Sequence, residues 1–239
     1  EIVAEIEGYQ KIIDGCRQVI DAWKPDVEGY LEEELKTYIA EHPEKQEELA
    51  EGHRPEPVEG WPMVKLGEVA RIINGRAYKQ EELLSEGKYP VLRVGNFFSN
   101  SNWYYSDLEL EEDKYCNNGD LLYAWSASFG PKIWNGGKVI YHYHIWKIEP
   151  TEKINKEFLY HVLDHETESI KSEGGRGIAM IHITKAGMES REIPLPPLEV
   201  QSRIVDKIEA ERRVIDSLRE MVKTYEEKIK KVIAKVWEE

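Results

Sequence analysis

The chain has 239 residues, of which 41% are apolar and 33% are charged, and its mean hydropathy is −0.60. This composition is typical of a soluble protein with one mid-sized domain and helical extensions. No apolar run approaches the length of a membrane span, and no secretory leader is found, so we expect a cytoplasmic protein without a membrane partner. The two cysteines lie in unrelated settings, which argues against a disulfide framework.

The formal net charge of −14 is distributed unevenly. Residues 1–60 hold 6 basic and 17 acidic residues, residues 61–197 hold 16 and 19, and residues 198–239 hold 10 of each. The acidity is therefore mostly a property of the N-terminal segment. Because a near-neutral domain can carry a basic face, net charge neither supports nor excludes a nucleic-acid partner.

The first helical stretch, EIVAEIEGYQKIIDGCR, returns near the other end of the chain as RIVDKIEAERRVIDSLR. Residue n of the first stretch aligns without gaps with residue n + 202 of the second. Seven of the 17 positions are identical: Ile2, Val3, Ile6, Glu7, Ile13, Asp14 and Arg17 recur as Ile204, Val205, Ile208, Glu209, Ile215, Asp216 and Arg219. The shared acidic residues indicate an internal repeat whose period is a whole domain plus its helix.

The first helix is predicted to stop near Pro25, and an acidic, helix-prone segment follows. Asp26, Glu34 and Lys36 in it have the superficial spacing of a metal-dependent nuclease. That chemistry needs carboxylates on adjoining strands around Mg²⁺, and the segment has no β-branched run. We therefore expect a solvated helix face. The stretch HRPEPVEGWP then predicts a domain boundary near residue 60.

Residues 61–197 alternate short β-prone runs with Gly, Asn and Asp turns, and they contain one helix, in NKEFLYHVLDHETESIKS. The predicted fold class is α+β, a mixed α/β domain with long flanking coiled-coil helices. Its turns hold Asn, Ser, Arg, Lys and aromatic residues, which can read base edges and hold phosphates. Turns contain many of these residues in any protein, so the pattern alone leaves DNA binding open.

The domain shows no catalytic centre in its sequence. GGRG at 174–177 lacks the Lys-Ser/Thr of a phosphate-binding loop and follows a helix, and no amino-methyltransferase motif occurs. His142 and His144 alternate in YHYHIW, so on a strand both would point to one face, where a pair could bind metal. Without further ligands at metal spacing, a structural or hydrogen-bonding role is favoured.

The last segment, 198–239, has no Gly or Pro after Val200, and its apolar residues recur every three or four positions. This is the period of a coiled-coil seam, and the N-terminal helix carries a matching one. The predicted seam comprises Ile6, Ile13, Ile20, Ile208, Ile215, Leu218, Val222 and Ile229. We expect the two ends to pair with each other or with copies of themselves.

Four phrases resemble the specificity (S) subunit of type I restriction-modification systems. They are LGEVARIINGRAYK, GDLLYAWSASFGP, KVIYHYHIWK and above all IPLPPLEVQSRIVDKIEAERRVIDSL, the exit from a target recognition domain into a conserved helix. The resemblance covers nearly the whole chain and is weakest at about 25–58. It implies a conserved spacer helix with the acidic insert and linker in 1–60, a recognition domain in 61–197 and a second conserved helix in 198–239. Because no such exit phrase precedes Ile2, the chain resembles the C-terminal half of a two-domain subunit.

The resemblance also implies function and partners. An S subunit has no catalytic activity of its own, and each recognition domain reads one half of a split target in double-stranded DNA. Methyltransferase (M) subunits bind S-adenosylmethionine and methylate adenine N6, and an ATP-driven restriction (R) subunit, with Mg²⁺, cuts the DNA. This chain would need no cofactor. With one recognition domain, it would either complement a missing half or form a homodimer through the conserved helices.

The choice of contact residues follows from chemistry and position. We assign base reading to Asn74, Arg76, Ser126 and Ser128, and DNA backbone contacts to Lys79, Lys132 and Arg176. Two other functions stay open: a non-catalytic coiled-coil scaffold that presents a protein-binding domain, and the S-like region of a fused restriction or methyltransferase enzyme.

Overall fold

The computed structural model describes residues 2–43, 60–99, 102–126, 128–173 and 183–238. The chain divides into two compact units, one made of Glu1–Glu28 with Arg203–Glu239 and the other of Gly29–Ser202. By this division, most of the acidic segment after the first helix belongs to the same unit as the central domain.

The helices and strands follow the predicted order of a mixed domain between two helices. The helices are α1 (Ile2–Ala22), α2 (Val27–Glu41), α3 (Leu66–Val69), α4 (Val94–Ser99), α5 (Lys156–Glu173), α6 (Lys185–Glu189) and α7 (Leu198–Glu238). The strands are β1 (Met63–Lys65), β2 (Ala70–Asn74), β3 (Tyr89–Leu92), β4 (Tyr104–Ser106), β5 (Tyr115–Cys116), β6 (Leu121–Ser126), β7 (Ser128–Ile133), β8 (Val139–Tyr141), β9 (Ile145–Pro150) and β10 (Glu192–Pro194). In the described residues no helix is long and apolar enough to cross a membrane.

The strands form three sheets with the orders β1-β10, β2-β9-β6-β7 and β4-β3-β8-β5. The β3–β8 pair is parallel and the other pairs are antiparallel. Helices together with mainly antiparallel sheets confirm the predicted α+β class.

One hydrophobic cluster joins the two four-stranded sheets. Leu92 and Tyr141 from one sheet and Leu122 and Ala124 from the other are fully buried in it. Side chains alternate along a strand, so Tyr123 points to the opposite face of β6, where its hydroxyl lies 3.1 Å from Thr167 Oγ1 of α5. The central sheet is therefore covered on both faces.

In the other unit, α1 runs antiparallel to the part of α7 that follows Ser202. The Tyr9 and Tyr225 rings contact each other in a tilted arrangement, with 5.4 Å between their centres, and Trp23 Nε1 donates to Glu211 at 3.1 Å. Between these contacts Cys16 Sγ lies 3.7 Å from Met221 Sδ. The two repeats thus pair within one chain.

The predicted seam residues all lie on the inner sides of these two helices. The buried ones are Ile13, Ile208 and Ile215, and the partly buried ones are Ile6, Ile20, Leu218, Val222 and Ile229. Apolar side chains at a 3.5-residue period are what a two-helix interface needs.

The acidic segment forms α2, a helix as predicted, but its face is not wholly solvated. Glu34 is only 2% exposed, because it shares a stripe of the helix with the buried Leu35 and Tyr38. Trp61 closes this face by donating a hydrogen bond from Nε1 to the Leu31 carbonyl at 2.9 Å. Within the described residues no group of three or more His, Cys, Asp or Glu side chains is placed to hold a metal ion.

Candidate functional site

The run YHYHIW is a turn between two sheets, not a single strand. β8 ends at Tyr141 and β9 begins at Ile145, so residues 142–144 form the connection, which we call the aromatic turn. The predicted alternation of His142 and His144 on one strand is therefore wrong. The run contains neither Gly nor Pro, and the turn closes locally, because the Ile145 N–H donates to the His142 carbonyl at 2.9 Å. A bond from the His142 N–H to the Leu92 carbonyl, also at 2.9 Å, ties the turn to β3.

The loop 74–79 packs directly on the aromatic turn. The Arg76 N–H donates to the Tyr141 carbonyl at 3.0 Å, and the Tyr143 N–H donates to the Arg76 carbonyl at 3.1 Å. Gly75 makes this approach feasible, since a Cβ at that position would lie 2.3 Å from the His142 carbonyl oxygen.

The end of the β6–β7 hairpin meets the same turn from another side. The Trp125 N–H donates to the His144 carbonyl at 3.1 Å, and its indole Nε1 donates to the Tyr143 carbonyl at 2.8 Å. Ser126 pairs with Ser128 at the tip of this hairpin. Two of the segments predicted to contact DNA are thus joined through a turn that was not among the predicted site residues.

Aromatic and histidine rings crowd this turn. His142 and His144 lie 4.8 Å apart at their ring centroids, and Tyr143 between them is 39% exposed. Burial, the neighbouring His144 and the charge of Arg93 lower the pKa of His142 to about 4. His142 is therefore neutral at physiological pH, and its ring can accept or donate a hydrogen bond.

Arg76, a predicted base reader, is held by a carboxylate. Its two terminal nitrogens donate to Glu82 at 2.8 and 2.7 Å, and its guanidinium carbon lies 5.1 Å from the ring centre of Tyr78. The bonds from Arg76, together with one from the Lys79 N–H, lower the pKa of Glu82 to about 2. The Arg76 charge is thus largely neutralised at neutral pH.

Asn74 and Lys79 lie at the two ends of this loop. Asn74 is exposed, and its side-chain oxygen accepts a hydrogen bond from Trp146 Nε1 at 2.8 Å, so its amide nitrogen is the group left to contact a ligand. Lys79 is exposed, and its ammonium lies 3.9 Å from Glu81. Such a distant exposed pair is weak and could exchange for a phosphate.

The remaining residues predicted to contact DNA are either less accessible or not among the residues that the structure describes. Ser126 is 4% exposed, and Lys132 donates from Nζ to the Phe97 carbonyl at 2.8 Å. Arg176 and the side chain of Ser128 fall outside the described residues. The assignments to these four residues stay predictions.

A cleft of about 470 Å³ lies along β2, the edge strand of its sheet. Each cation lining it contacts a carboxylate: Arg71 lies 3.4 Å from Glu149, Lys114 lies 3.2 Å from Asp113, and Lys185 lies 3.4 Å from Glu189. The positive and negative charges of the cleft balance each other, so it is not suited to binding a polyanion such as DNA. The aromatic turn with the two segments bound to it is the better candidate site.

Comparisons with known proteins bear on this region. The family model "Type I restriction modification DNA specificity domain" matches residues 58–227, which include the aromatic turn, the 74–79 loop and the β6–β7 hairpin. The EcoBI specificity subunit of the type I restriction enzyme of Escherichia coli is 27% identical over 162 residues, covering 66% of this chain and 34% of that protein. The MjaVIII specificity subunit of Methanocaldococcus jannaschii is 30% identical over 164 residues, covering 67% of this chain and 38% of that protein.

The fold is similar to that of a solved relative. The crystal structure of the HsdS subunit from Thermoanaerobacter tengcongensis superposes with a TM-score of 0.60 at 19% identity, over 98% of this chain and 56% of that one. The chain therefore spans little more than half of that subunit, and about a third of the two curated relatives. Because the family model matches well over half of the chain, the protein belongs to the family of type I restriction-modification DNA specificity domains, as its resemblance predicted.

Proposed function

We propose that this chain recognises a specific sequence in double-stranded DNA as the specificity part of a type I restriction-modification complex, and that it has no catalytic activity of its own. One observation carries the proposal. The 74–79 loop and the tip of the β6–β7 hairpin are both hydrogen-bonded to the aromatic turn, inside the region that the family model matches.

The chemistry of this surface suits base reading. Asn74 brings an amide group, and the aromatic turn brings rings that can contact a thymine methyl group or donate to base edges. Arg76 would contribute the guanidinium N–H groups that Glu82 does not bind. The loops are fixed by backbone hydrogen bonds to two sheets, so little conformational entropy would be lost on binding. Lys79 would contact the DNA backbone and hold the register without reading sequence.

In the proposed complex the chemistry belongs to partner subunits. An M subunit would bind S-adenosylmethionine and methylate adenine, and an R subunit would use ATP and Mg²⁺ to cut the DNA. The specificity chain would bring both to their site and would need no cofactor. The names of the curated relatives, which are specificity subunits of type I restriction enzymes, support this division of labour.

A second function, a helical scaffold that binds proteins, is favoured by a separate observation. Ile12 and Val19 on α1 and Val214 and Met221 on α7 are exposed although the seam is formed. The 202-residue repeat relates Ile12 to Val214 and Val19 to Met221. Exposed apolar residues at repeated positions suit a protein partner on the helical unit. This role is compatible with DNA recognition, because M subunits must dock somewhere on the chain.

Selection from randomised duplex DNA tests the DNA function. The chain is mixed with the M subunit encoded beside it, at low and at physiological salt, and the retained DNA is sequenced. We expect a short fixed motif, either as one half-site or as an inverted repeat at fixed spacing if a homodimer forms. A stable complex with the M subunit that enriches no motif would contradict base reading and leave the scaffold as the function.

A further inference from the structure

Arg93 stands beside the aromatic turn and was not among the predicted contacts. It follows β3 directly, and the carbonyl of the preceding Leu92 accepts the His142 N–H at 2.9 Å. Its own backbone is fixed, since its N–H donates to Asn96 Oδ1 at 3.3 Å and its carbonyl accepts from Phe97 at 2.9 Å. The side chain therefore leaves a rigid point at the margin of the candidate site.

The guanidinium of Arg93 is held by a ring and not by an acid. Its central carbon lies 4.8 Å from the ring centre of Tyr104, on the neighbouring strand β4. Among the described residues no carboxylate lies within 4.0 Å of it, and its guanidinium nitrogens donate no hydrogen bond. Arg76 presents the opposite case, because two of its nitrogens are bound to Glu82.

This combination leaves a charged and oriented group for a ligand. Arg93 is partly exposed, and its guanidinium has five N–H donors with no acceptor among the residues that the structure describes, so a ligand can supply the acceptors. Stacking on a ring orients the guanidinium plane while leaving its edge open. A positive, oriented edge with paired donors matches the two acceptors O6 and N7 that guanine presents in the major groove.

We propose that Arg93 reads a guanine, donating two parallel hydrogen bonds to O6 and N7, and that Tyr104 is the positioning residue that orients it. The proposal rests on the DNA function given above and names one of its contacts. The neutral His142 ring and the exposed Tyr143 lie beside this contact and are placed to touch the neighbouring base pair.

Two substitutions distinguish a base contact by Arg93 from a purely electrostatic contact with the DNA backbone. In the selection experiment, Arg93→Lys keeps the positive charge and removes the planar fork, and Arg93→Gln removes both. We expect both variants to lose the preference for guanine at one position of the motif by roughly 5- to 150-fold, with the other positions unchanged. Tyr104→Leu should reduce the preference for guanine at the same position. Tyr104→Phe should retain that preference because the ring against which Arg93 packs remains.

The matched control is Arg71→Lys and Arg71→Gln, which alter an exposed arginine of the same domain that is paired with Glu149. Neither should change the motif. Thermal melting of every variant shows whether it is folded. The inference is overturned if the Arg93 variants select the same motif as wild type. Weaker binding of these variants to all sequences alike would mean that Arg93 contacts phosphate. If folded wild type selects no motif, the DNA function fails and the inference falls with it.

Discussion

Glu82 shows how a single carboxylate can decide what a neighbouring cation does. Its pKa of about 2 lies below the ordinary value of 4.5 because Arg76 and the Lys79 N–H bind the charged form. A lowered carboxyl pKa stabilises the fold above pH 4.5, and this stabilisation is lost as pH falls from 4.5 towards 2. We expect Glu82→Gln to lower the Tm by a few degrees at pH 7 and to differ little from wild type near pH 2, as measured by thermal melting across this range.

His142 supplies the internal control for that experiment. Its folded pKa of about 4 lies below the ordinary 6.5, so the unfolded chain binds a proton more readily and stability falls as pH drops from 6.5 to 4. Glu82→Gln leaves this part of the pH dependence in place. A Tm difference between variant and wild type that stayed constant down to pH 2 would show that Glu82 acts through packing and not through its charge.

At the scale of elements, the first turn of α7 is fixed to the loop before α5 by one buried amide. Gln201 is 0% exposed; its Oε1 accepts from the Asn155 N–H at 2.7 Å, and its Nε2 donates to the carbonyls of Pro196 and Lys153 at 2.8 and 3.1 Å. Asn155 in turn caps α5 by accepting the Phe158 N–H at 2.9 Å. This network satisfies polar groups of both elements.

We expect Gln201→Leu to lower the free energy of unfolding by roughly 2–4 kcal/mol, because it leaves several buried polar groups without partners. Urea denaturation at pH 7 measures the change. Gln18→Leu, at an exposed position of α1, is the matched control and should change stability by less than about 0.5 kcal/mol. Equal effects of the two substitutions would mean that the buried network contributes nothing.

The elements also show what local sequence can predict. The 3.5-residue rhythm of Ile208 and Ile215 predicted a long uninterrupted helix, which α7 is, because helix periodicity depends on near neighbours. The turn at His142 was read as a strand because the run is rich in aromatic residues and no Gly or Pro marks the reversal, which the Ile145 N–H closes by donating to the His142 carbonyl at 2.9 Å. Arg93 was not singled out either, because its ring partner Tyr104 is brought beside it by the pairing of β3 with β4 and not by its near neighbours in sequence.

At the scale of the whole molecule, the repeated helices carry two kinds of apolar surface with separate consequences. Ile13 and Ile215, 1% and 3% exposed, belong to the seam that closes within one chain. Val19 and Val214 are exposed on the same helices, one position before a seam residue in each repeat. A homodimer or an M-subunit complex that uses this unit would therefore depend on the exposed pair, because the seam is already occupied.

We expect the double variant Val19→Glu with Val214→Glu to keep the fold and to lose association, since two charges would have to be buried at the contact. Light scattering during size-exclusion chromatography, with the chain alone and with the M subunit, measures the mass. Ile13→Ala is the contrasting variant: emptying a buried site should cost about 2–5 kcal/mol of stability in urea denaturation without a specific loss of binding. If instead the glutamates leave every complex intact, the helical unit binds its partners through another surface. The exposed apolar residues of α1 and α7 would then form neither a homodimer contact nor a docking site for the M subunit.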